Sequence, residues 1–275
     1  MTVATEQFSY VQQLVQQRSA IVLAADKGYL VDSRLAPLAR TLGVKDVNGV
    51  VDRLRASRDP KLEQQVVEAM TTNETSWFRD LRPFEALRRH IVPELIKRNA
   101  STRQIRIWSA ACSTGHELYS VAMMLEETFP ELRHGWQVEL VGTDLNTEMV
   151  RRSTEGLFST LEVNHGLPAS LLVRYFDREG ANWRANHSLR QGTRFLTLNL
   201  VGSSPVLPIL DVVLLRNVLI YFDVATKRQV HIRTLRQMTP DGYVLLGTAE
   251  SPNGLCDGLE PVTAEGSVFY RAKRG

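Results

Sequence analysis

Four short segments carry the residue types that could do chemistry. A β-like run, Ile105-Arg106-Ile107-Trp108, leads into Ser109-Ala110-Ala111-Cys112-Ser113-Thr114-Gly115, all small, before a helical His116-Glu117-Leu118-Tyr119. Small side chains let a ligand approach the backbone and the helix N-terminus closely. The loop has one glycine and is no G-x-G-x-x-G, so it does not read as a cradle for pyrophosphate. A second β-like run ends in Gly142-Thr143-Asp144, and an acidic residue at that point commonly takes a ribose diol. The alternative for Asp144 is the N-cap of the helix that starts near Thr147, and the ribose role is the favoured of the two. Loop and carboxylate together point to an adenosine-type ligand without pyrophosphate, and S-adenosylmethionine fits best.

The third segment is Leu214-Leu215-Arg216-Asn217-Val218-Leu219-Ile220-Tyr221-Phe222-Asp223, an apolar run delivering Arg216, Asn217 and Tyr221 to a strand end. Its packing alternative makes Tyr221 and Phe222 core aromatics and Arg216 a surface ion-pair partner. The fourth is Thr71 to Asp80, polar and ending in Trp77-Phe78-Arg79-Asp80; it reads as a capped linker or as one wall of a ligand cleft.

Other chemistries are poorly served. The six histidines (His90, His116, His134, His165, His187, His231) form no i,i+4 pair and no H-E-x-x-H, so no metal is expected. Two cysteines, Cys112 and Cys256, suit a reducing compartment and exclude a disulfide framework. The 33 Lys and Arg against 30 Asp and Glu give a charge of +3, which does not ask for nucleic acid. No apolar run approaches the roughly 18 residues that span a bilayer. Met1 to Ser9 contains Glu6 and no apolar stretch, so no signal peptide is expected and a cytoplasmic protein is.

The elements that must position these segments follow from periodicity. Helical stripes at Phe8-Val11-Leu14-Val15, Val31-Leu35-Leu38-Ala39-Leu42, Val47-Val50-Val51-Leu54 and Leu62-Val66-Val67-Met70 predict a small bundle, with Gly43 as a C-cap. Glu85 to Asn99 reads as a helix broken or kinked at Pro93. Strands and helices then alternate: strands at 105–110, 138–142, 211–215 and 243–247, helices at 117–128, 147–153 and 225–237, and a final edge strand at 267–272. That alternation predicts an α/β fold with a doubly wound, mostly parallel, Rossmann-like sheet. Between Phe158 and Leu200 the rhythm breaks; Ala169 to Tyr175 looks helical, and the rest, with Gly192 at a turn before Phe195-Leu196-Thr197-Leu198, reads as an antiparallel excursion. The expected division is an all-helical domain at 1–72, a linker carrying the start of the site at 73–88, and a catalytic domain at 89–275 with an inserted β-subdomain at about 160–200.

Taken in order, the segments resemble the CheR-type chemotaxis receptor methyltransferases. Asn73 to Arg79 is similar to that family's T-N-x-T-x-F-F-R, Trp108 to Glu117 to its W-S-A-A-x-S-T-G-x-E, and Arg216 to Phe222 to its R-N-V-x-I-Y-F. Thr248-Ala249-Glu250-Ser251 resembles its late G-H-S-E turn, less closely. The resemblance covers about residues 5–272. Trp77 stands where Phe is usual, and His116 and Leu118 stand where many members have Glu and Pro. The resemblance implies methyl transfer from S-adenosylmethionine to glutamate carboxylates on the cytoplasmic helical domain of a chemoreceptor, with S-adenosylhomocysteine as product. It places cofactor contacts on Asn73, Thr75, Arg79, Ala111, Glu117, Asp144, Asn199, Leu200, Arg216 and Asn217, and Arg79 and Tyr221 near the reacting groups. A methyltransferase acting on another protein or nucleic-acid acceptor, or a non-catalytic cofactor-sensing module, is the alternative. Family members that hold a receptor's C-terminal peptide carry a longer, glycine-containing loop in the subdomain than the stretch between Phe176 and Phe195 here. The chain is therefore expected to act as a monomer independent of that peptide, docking through its helical domain, where Arg34 and Arg40 lie.

Overall fold

The apolar stripes wind into α1 (Thr5–Ser19), α2 (Gly28–Leu42), α3 (Val47–Ser57) and α4 (Pro60–Ala69), burying Phe8, Val11, Val15, Val31, Leu35, Val50, Val51, Leu54 and Val66. Capping sets the boundaries. The Asp46 side chain accepts the Gly49 amide, Asp59 accepts the Lys61 amide ahead of Pro60, and Gly43 closes α2 in the left-handed conformation. Arg34 donates to the Met70 carbonyl at 2.6 Å and to Thr72 Oγ1 at 2.9 Å, tying α2 to the end of the bundle. The computed structural model describes residues 3–202, 207–264 and 266–273. These form two units: residues up to Thr72 together with Tyr221–Thr226, and Asn73–Ile220 together with the chain from Lys227 onward.

The second unit opens with α5 (Arg82–Ala86), a π-helical turn over Leu87–Ile91, and α6 (Val92–Arg98). Pro93 has no amide hydrogen to offer, and the extra residue is absorbed in the turn just before it, where the Val92 amide bonds to the Leu87 carbonyl. The expected break is thus a local widening of a continuous helix. The chain then alternates through β1 (Gln104–Ala110), α7 (His116–Thr128), β2 (Gln137–Asp144) and α8 (Thr147–Glu155). An excursion follows: β3 (Leu157–Ser159), α9 (Thr160–Val163), α10 (Ala169–Tyr175), β4 (Phe176–Glu179), β5 (Asn182–Ala185) and α11 (His187–Gln191). It returns as β6 (Thr193–Thr197) and β7 (Leu210–Leu215), and ends with α12 (Val224–Arg236), β8 (Met238–Leu246), β9 (Leu259–Ala264) and β10 (Ser267–Ala272).

The main sheet has seven strands in the order β6-β2-β1-β7-β8-β10-β9; the first five are parallel, β10 is antiparallel to β8, and β9 is antiparallel to β10. β7 is buried along its whole length, which explains why Leu210–Leu215 reads as an unbroken apolar run except for Asp211. β3, β5 and β4 form a separate antiparallel sheet in that order. Two expectations are corrected. β10 is not an edge strand, because β9 pairs outside it; β9, which contains Glu260 and Pro261, does not read as a strand. Thr193–Thr197 belongs to the main sheet, parallel to β2, and not to the antiparallel excursion. From β1 the chain steps outward to β2 and β6, then crosses back to set β7 on β1's other side. The strand order therefore reverses between β1 and β7, and in open α/β sheets the ligand crevice lies there, beyond the carboxyl ends.

Candidate active site

β1 ends at Ala110, paired with Thr143 of β2 on one side and Leu215 of β7 on the other, so three strand ends lie level. The small-residue loop turns out of β1 with Ala111 (φ 59°), Ser113 (φ 51°) and Gly115 (φ 85°) all left-handed. At Gly115 a Cβ would sit 2.9 Å from Ser153 Cβ and 3.0 Å from the Phe195 ring, so only glycine fits. The loop is pinned to the end of β2: the Cys112 amide donates to the Thr143 carbonyl at 2.8 Å, and the Ser113 amide to Asp144 Oδ2 at 2.7 Å.

Asp144 is buried and is not the N-cap of α8. Asn146 caps that helix through the Glu148 and Met149 amides, and the Asn146 amide itself donates to Asp144 Oδ1 at 2.9 Å. The Asp144 carboxylate is thus oriented at the mouth of β2 by two main-chain amides. Beyond β6, the Leu198 amide donates to the Asp144 carbonyl at 2.8 Å, and Asn199 turns the chain by accepting the Val201 amide at 3.1 Å. Leu200 follows and gives its carbonyl to Arg233.

Glu117 and Arg216 meet across the point where the sheet order reverses. Glu117 Oε1 accepts the Ser109 hydroxyl at 2.8 Å, and its Oε2 pairs with Arg216 Nη1 at 2.6 Å. Arg216 Nη2 also donates to Asp80 Oδ2 and to the Arg79 carbonyl, both at 2.8 Å, and the guanidinium is 1% exposed. The packing alternative for Arg216 was a surface ion pair; the pair exists but is buried. Asn217 follows in the left-handed conformation (φ 58°).

The polar segment after Thr72 belongs to the second unit and docks along these loops. Its Asn73 carbonyl accepts the Ser113 hydroxyl at 2.8 Å, and the Phe78 amide donates to Ser120 Oγ at 3.1 Å. Trp77 is buried, its ring 4.3 Å from His116 and 4.9 Å from Phe158. The indole N–H donates to the Glu162 carbonyl at 2.9 Å, the partner that a tryptophan in place of phenylalanine needs. The Trp77 amide donates to the His165 carbonyl at 3.1 Å.

A cleft of about 630 Å³ opens beside this segment. Asn73, Thr75 and Arg79 line it together with Thr114, His116 and Met149 and with Arg152, Glu162 and His165. Of the sequence-expected site residues, it gathers those three of the 73–79 segment. Ala111, Glu117, Asp144, Arg216 and Asn217 sit on the strand-end loops, and Ser113 links the two groups through Asp144 on one side and Asn73 on the other. Tyr221 closes a 3₁₀ turn (Leu219–Tyr221) and is half-buried with the helical unit, where its carbonyl accepts the Val22 amide at 2.9 Å. Phe222 beside it is buried, as its packing reading has it. Sequence reasoning did not find Met149 and Arg152, which read as ordinary positions of α8, or Glu162 and His165, which the excursion brings in with no local mark.

Burial, opposed by Glu162 and aided by Arg152 and His165, brings the His116 imidazole down to about 4, so the ring is neutral. Burial pushes the Cys112 thiol well up, and that cysteine is no nucleophile.

Residues 73–265 match the family described as CheR methyltransferase, SAM binding domain, and residues 6–71 match its all-alpha domain. The chain belongs to the CheR methyltransferase family. It is 40% identical over 278 aligned positions to chemotaxis protein methyltransferase 1 of Pseudomonas aeruginosa, covering 99% of this chain and 100% of that one. It is 37% identical to chemotaxis protein methyltransferase Cher2 of Pseudomonas putida, with the same coverage. With the chemotaxis protein methyltransferase of Escherichia coli it shares 32% identity over 89% of this chain and 84% of that one. As a CheR methyltransferase the chain uses S-adenosylmethionine to methylate chemoreceptor glutamates.

Proposed function

We propose that S-adenosylmethionine lies along the loop at 111–115, with its ribose on Asp144 and its amino-acid end toward Asn73, Thr75 and Arg79. The observation that carries this reading is Asp144: buried, aimed by the Ser113 and Asn146 amides, and joined through Ser113 to the wall of the cleft. The residues fit that cofactor. A carboxylate suits a diol, a loop of small residues in left-handed conformations suits close approach of a nucleoside, and the loop lacks the glycines of a pyrophosphate cradle. On this reading Ala111, Asn199, Leu200 and Asn217, on the loops that follow the strands, border the nucleoside end of the cofactor. Glu117 and Arg216 act through one another; the buried Arg216 braces Glu117, Asp80 and the Arg79 carbonyl.

The cofactor supplies a methyl group already activated on a sulfonium. A glutamate carboxylate is ionised at neutral pH, with a reference pKa of about 4.3, so no general base is required. What remains for the chain is to place the acceptor in line and keep water from it. Arg79, on the cleft wall with its Nη1 on the Glu74 carbonyl at 3.1 Å, orients the incoming carboxylate. For Tyr221 a role in orienting the acceptor rests on the resemblance of Arg216 to Phe222 alone. The chain works in the cytoplasm as a monomer; no helix among the described residues is long and apolar enough to cross a membrane.

The test is incubation with methyl-labelled S-adenosylmethionine and receptor-bearing membranes. Label released as methanol by mild alkali is the expected result, and alkali-stable label would reject a glutamyl ester. Alongside it, Asp144→Ala should weaken S-adenosylhomocysteine binding by about 1.5–3 kcal/mol, the range for hydrogen bonds to a charged group. Unchanged affinity in a calorimeter would remove Asp144 from the site.

A further inference from the structure

The loop after β8 carries a carboxylate with an unusual set of partners. Glu250 Oε2 accepts the amides of Gly247 and Asn217, each at 2.7 Å. Its Oε1 accepts the amides of Val218 at 2.9 Å and Leu219 at 2.7 Å. Three consecutive amides after β7 therefore point at one side chain that lies more than thirty residues on in the chain. Asn217 makes this possible by being left-handed (φ 58°), which turns its own N–H and the next two to the same side. Such an arrangement is an anion nest. Here the anion is built into the chain. Gly247 is required by it, because a Cβ there would lie 2.7 Å from Glu250 Oε2 and 2.9 Å from the Asn217 amide nitrogen.

The nest lies directly after Arg216, whose guanidinium holds Glu117, Asp80 and the Arg79 carbonyl. Main-chain amides left unpaired in a half-buried turn would seek other partners, and the turn would move. We propose that Glu250 is a positioning residue for methyl transfer: its carboxylate fixes the backbone of Arg216 to Leu219, and through it the brace on Glu117 and Arg79. It touches neither cofactor nor acceptor. The proposal rests on the reading of the strand-end loops as the cofactor site. The competing role is purely structural, a staple between two loops whose loss lowers stability and nothing else.

The experiment uses the full chain, with S-adenosylhomocysteine calorimetry and steady-state transfer to receptor membranes. Glu250→Ala should raise the Kd for S-adenosylhomocysteine roughly ten-fold, as expected for losing charge-assisted bonds, and lower kcat with little change in KM for receptor. Formate or acetate should restore much of the loss by refilling the nest, while chloride at equal ionic strength should not. Glu250→Gln keeps the size but turns an NH2 group toward two N–H donors, so it should also lose affinity. Gly247→Ala should act in the same direction with Glu250 intact, and it keeps the proposal testable if Glu250→Ala fails to fold. A folded Glu250→Ala with wild-type Kd and kcat overturns the proposal, as does a loss of thermal stability with no effect on binding or no carboxylate rescue. If the wild-type chain itself does not bind S-adenosylhomocysteine, the cofactor reading falls and this proposal with it; if the wild type binds and Glu250→Ala binds equally, this proposal alone falls.

Discussion

His116 shows how one residue ties the cleft to the solvent pH. It sits at the first position of α7, packs tilted against Trp77 and edge-on to Phe158, and shares a hydrogen with Thr114 through Nδ1 at 2.9 Å. Burial holds its pKa at about 4, against about 6.5 in an unfolded chain. The folded state therefore binds fewer protons than the unfolded state between those values. Stability on this account is fully present above pH 6.5 and is lost as pH falls toward 4. The contribution lost from this residue by pH 5 is about 2 kcal/mol. His231, buried on α12 with neither ring nitrogen hydrogen-bonded, has its pKa lowered by burial and acts in the same direction. Thermal unfolding at pH 7.5 and pH 5 should show the loss, and His116→Phe, which keeps a ring against Trp77, should reduce the pH dependence. An identical pH slope in that variant would mean that His116 does not carry the pH dependence. Cofactor binding should not follow His116 between pH 6 and 8, since the ring is neutral throughout. The residue was legible in the sequence as a departure from the family's pattern; that it lines the cleft was not, because its neighbours Trp77 and Phe158 come from remote segments.

At the scale of elements, most of the fold was legible and the pairings were not. The strands and helices that alternate from β1 to β8 follow from period and capping, and so do α1 to α4. β6 has five residues and offers no means of telling a parallel neighbour from an antiparallel one. β9 carries Pro261 and Glu260, which hide a strand lying at the outer edge of the sheet, where a missing amide costs least. In the same way the strand-end residue types marked the site, while the partners did not: Arg216 and Glu117 are 99 positions apart. The segment from Asn73 to Arg79 is held by a contact of this hidden kind. Gly166 has φ +98°, and a Cβ there would lie 2.6 Å from the Trp77 carbonyl. Gly166→Ala should therefore cost about 1–3 kcal/mol through the strained conformation and the clash together. The cost should appear locally, as faster hydrogen exchange at the Trp77 and Phe78 amides and weaker S-adenosylhomocysteine binding, with the bundle at 3–72 unchanged. Exchange that rises evenly over the chain would instead show that the segment is not anchored at this point.

The whole molecule must find a chemoreceptor, and we propose that the small antiparallel sheet takes no tethering part in this. A receptor's C-terminal peptide could be captured by adding it as a strand to an edge of that sheet. The two edges are β3, with three residues, and β4, with four, of which Asp177, Arg178 and Glu179 are exposed and charged. Glu179 is already paired with Arg184 of β5, and the turn between them is only Gly180-Ala181. Short, charged edges are those that proteins use to discourage strand addition. An added strand would gain few main-chain bonds and would displace charges that are already matched. The helical unit offers a different surface: Arg40 on α2 is exposed, although Arg34 is spent within the unit on Met70 and Thr72. The chain should therefore act on the receptor's methylation helices directly, with no gain in effective concentration from a tether. Receptor lacking its C-terminal tail should be methylated at the same initial rate as intact receptor, and calorimetric titration with tail peptides should give no heat at micromolar concentration. Micromolar peptide binding that disappears when β4 is altered, together with slow methylation of the tailless receptor, would show that the tether operates here after all.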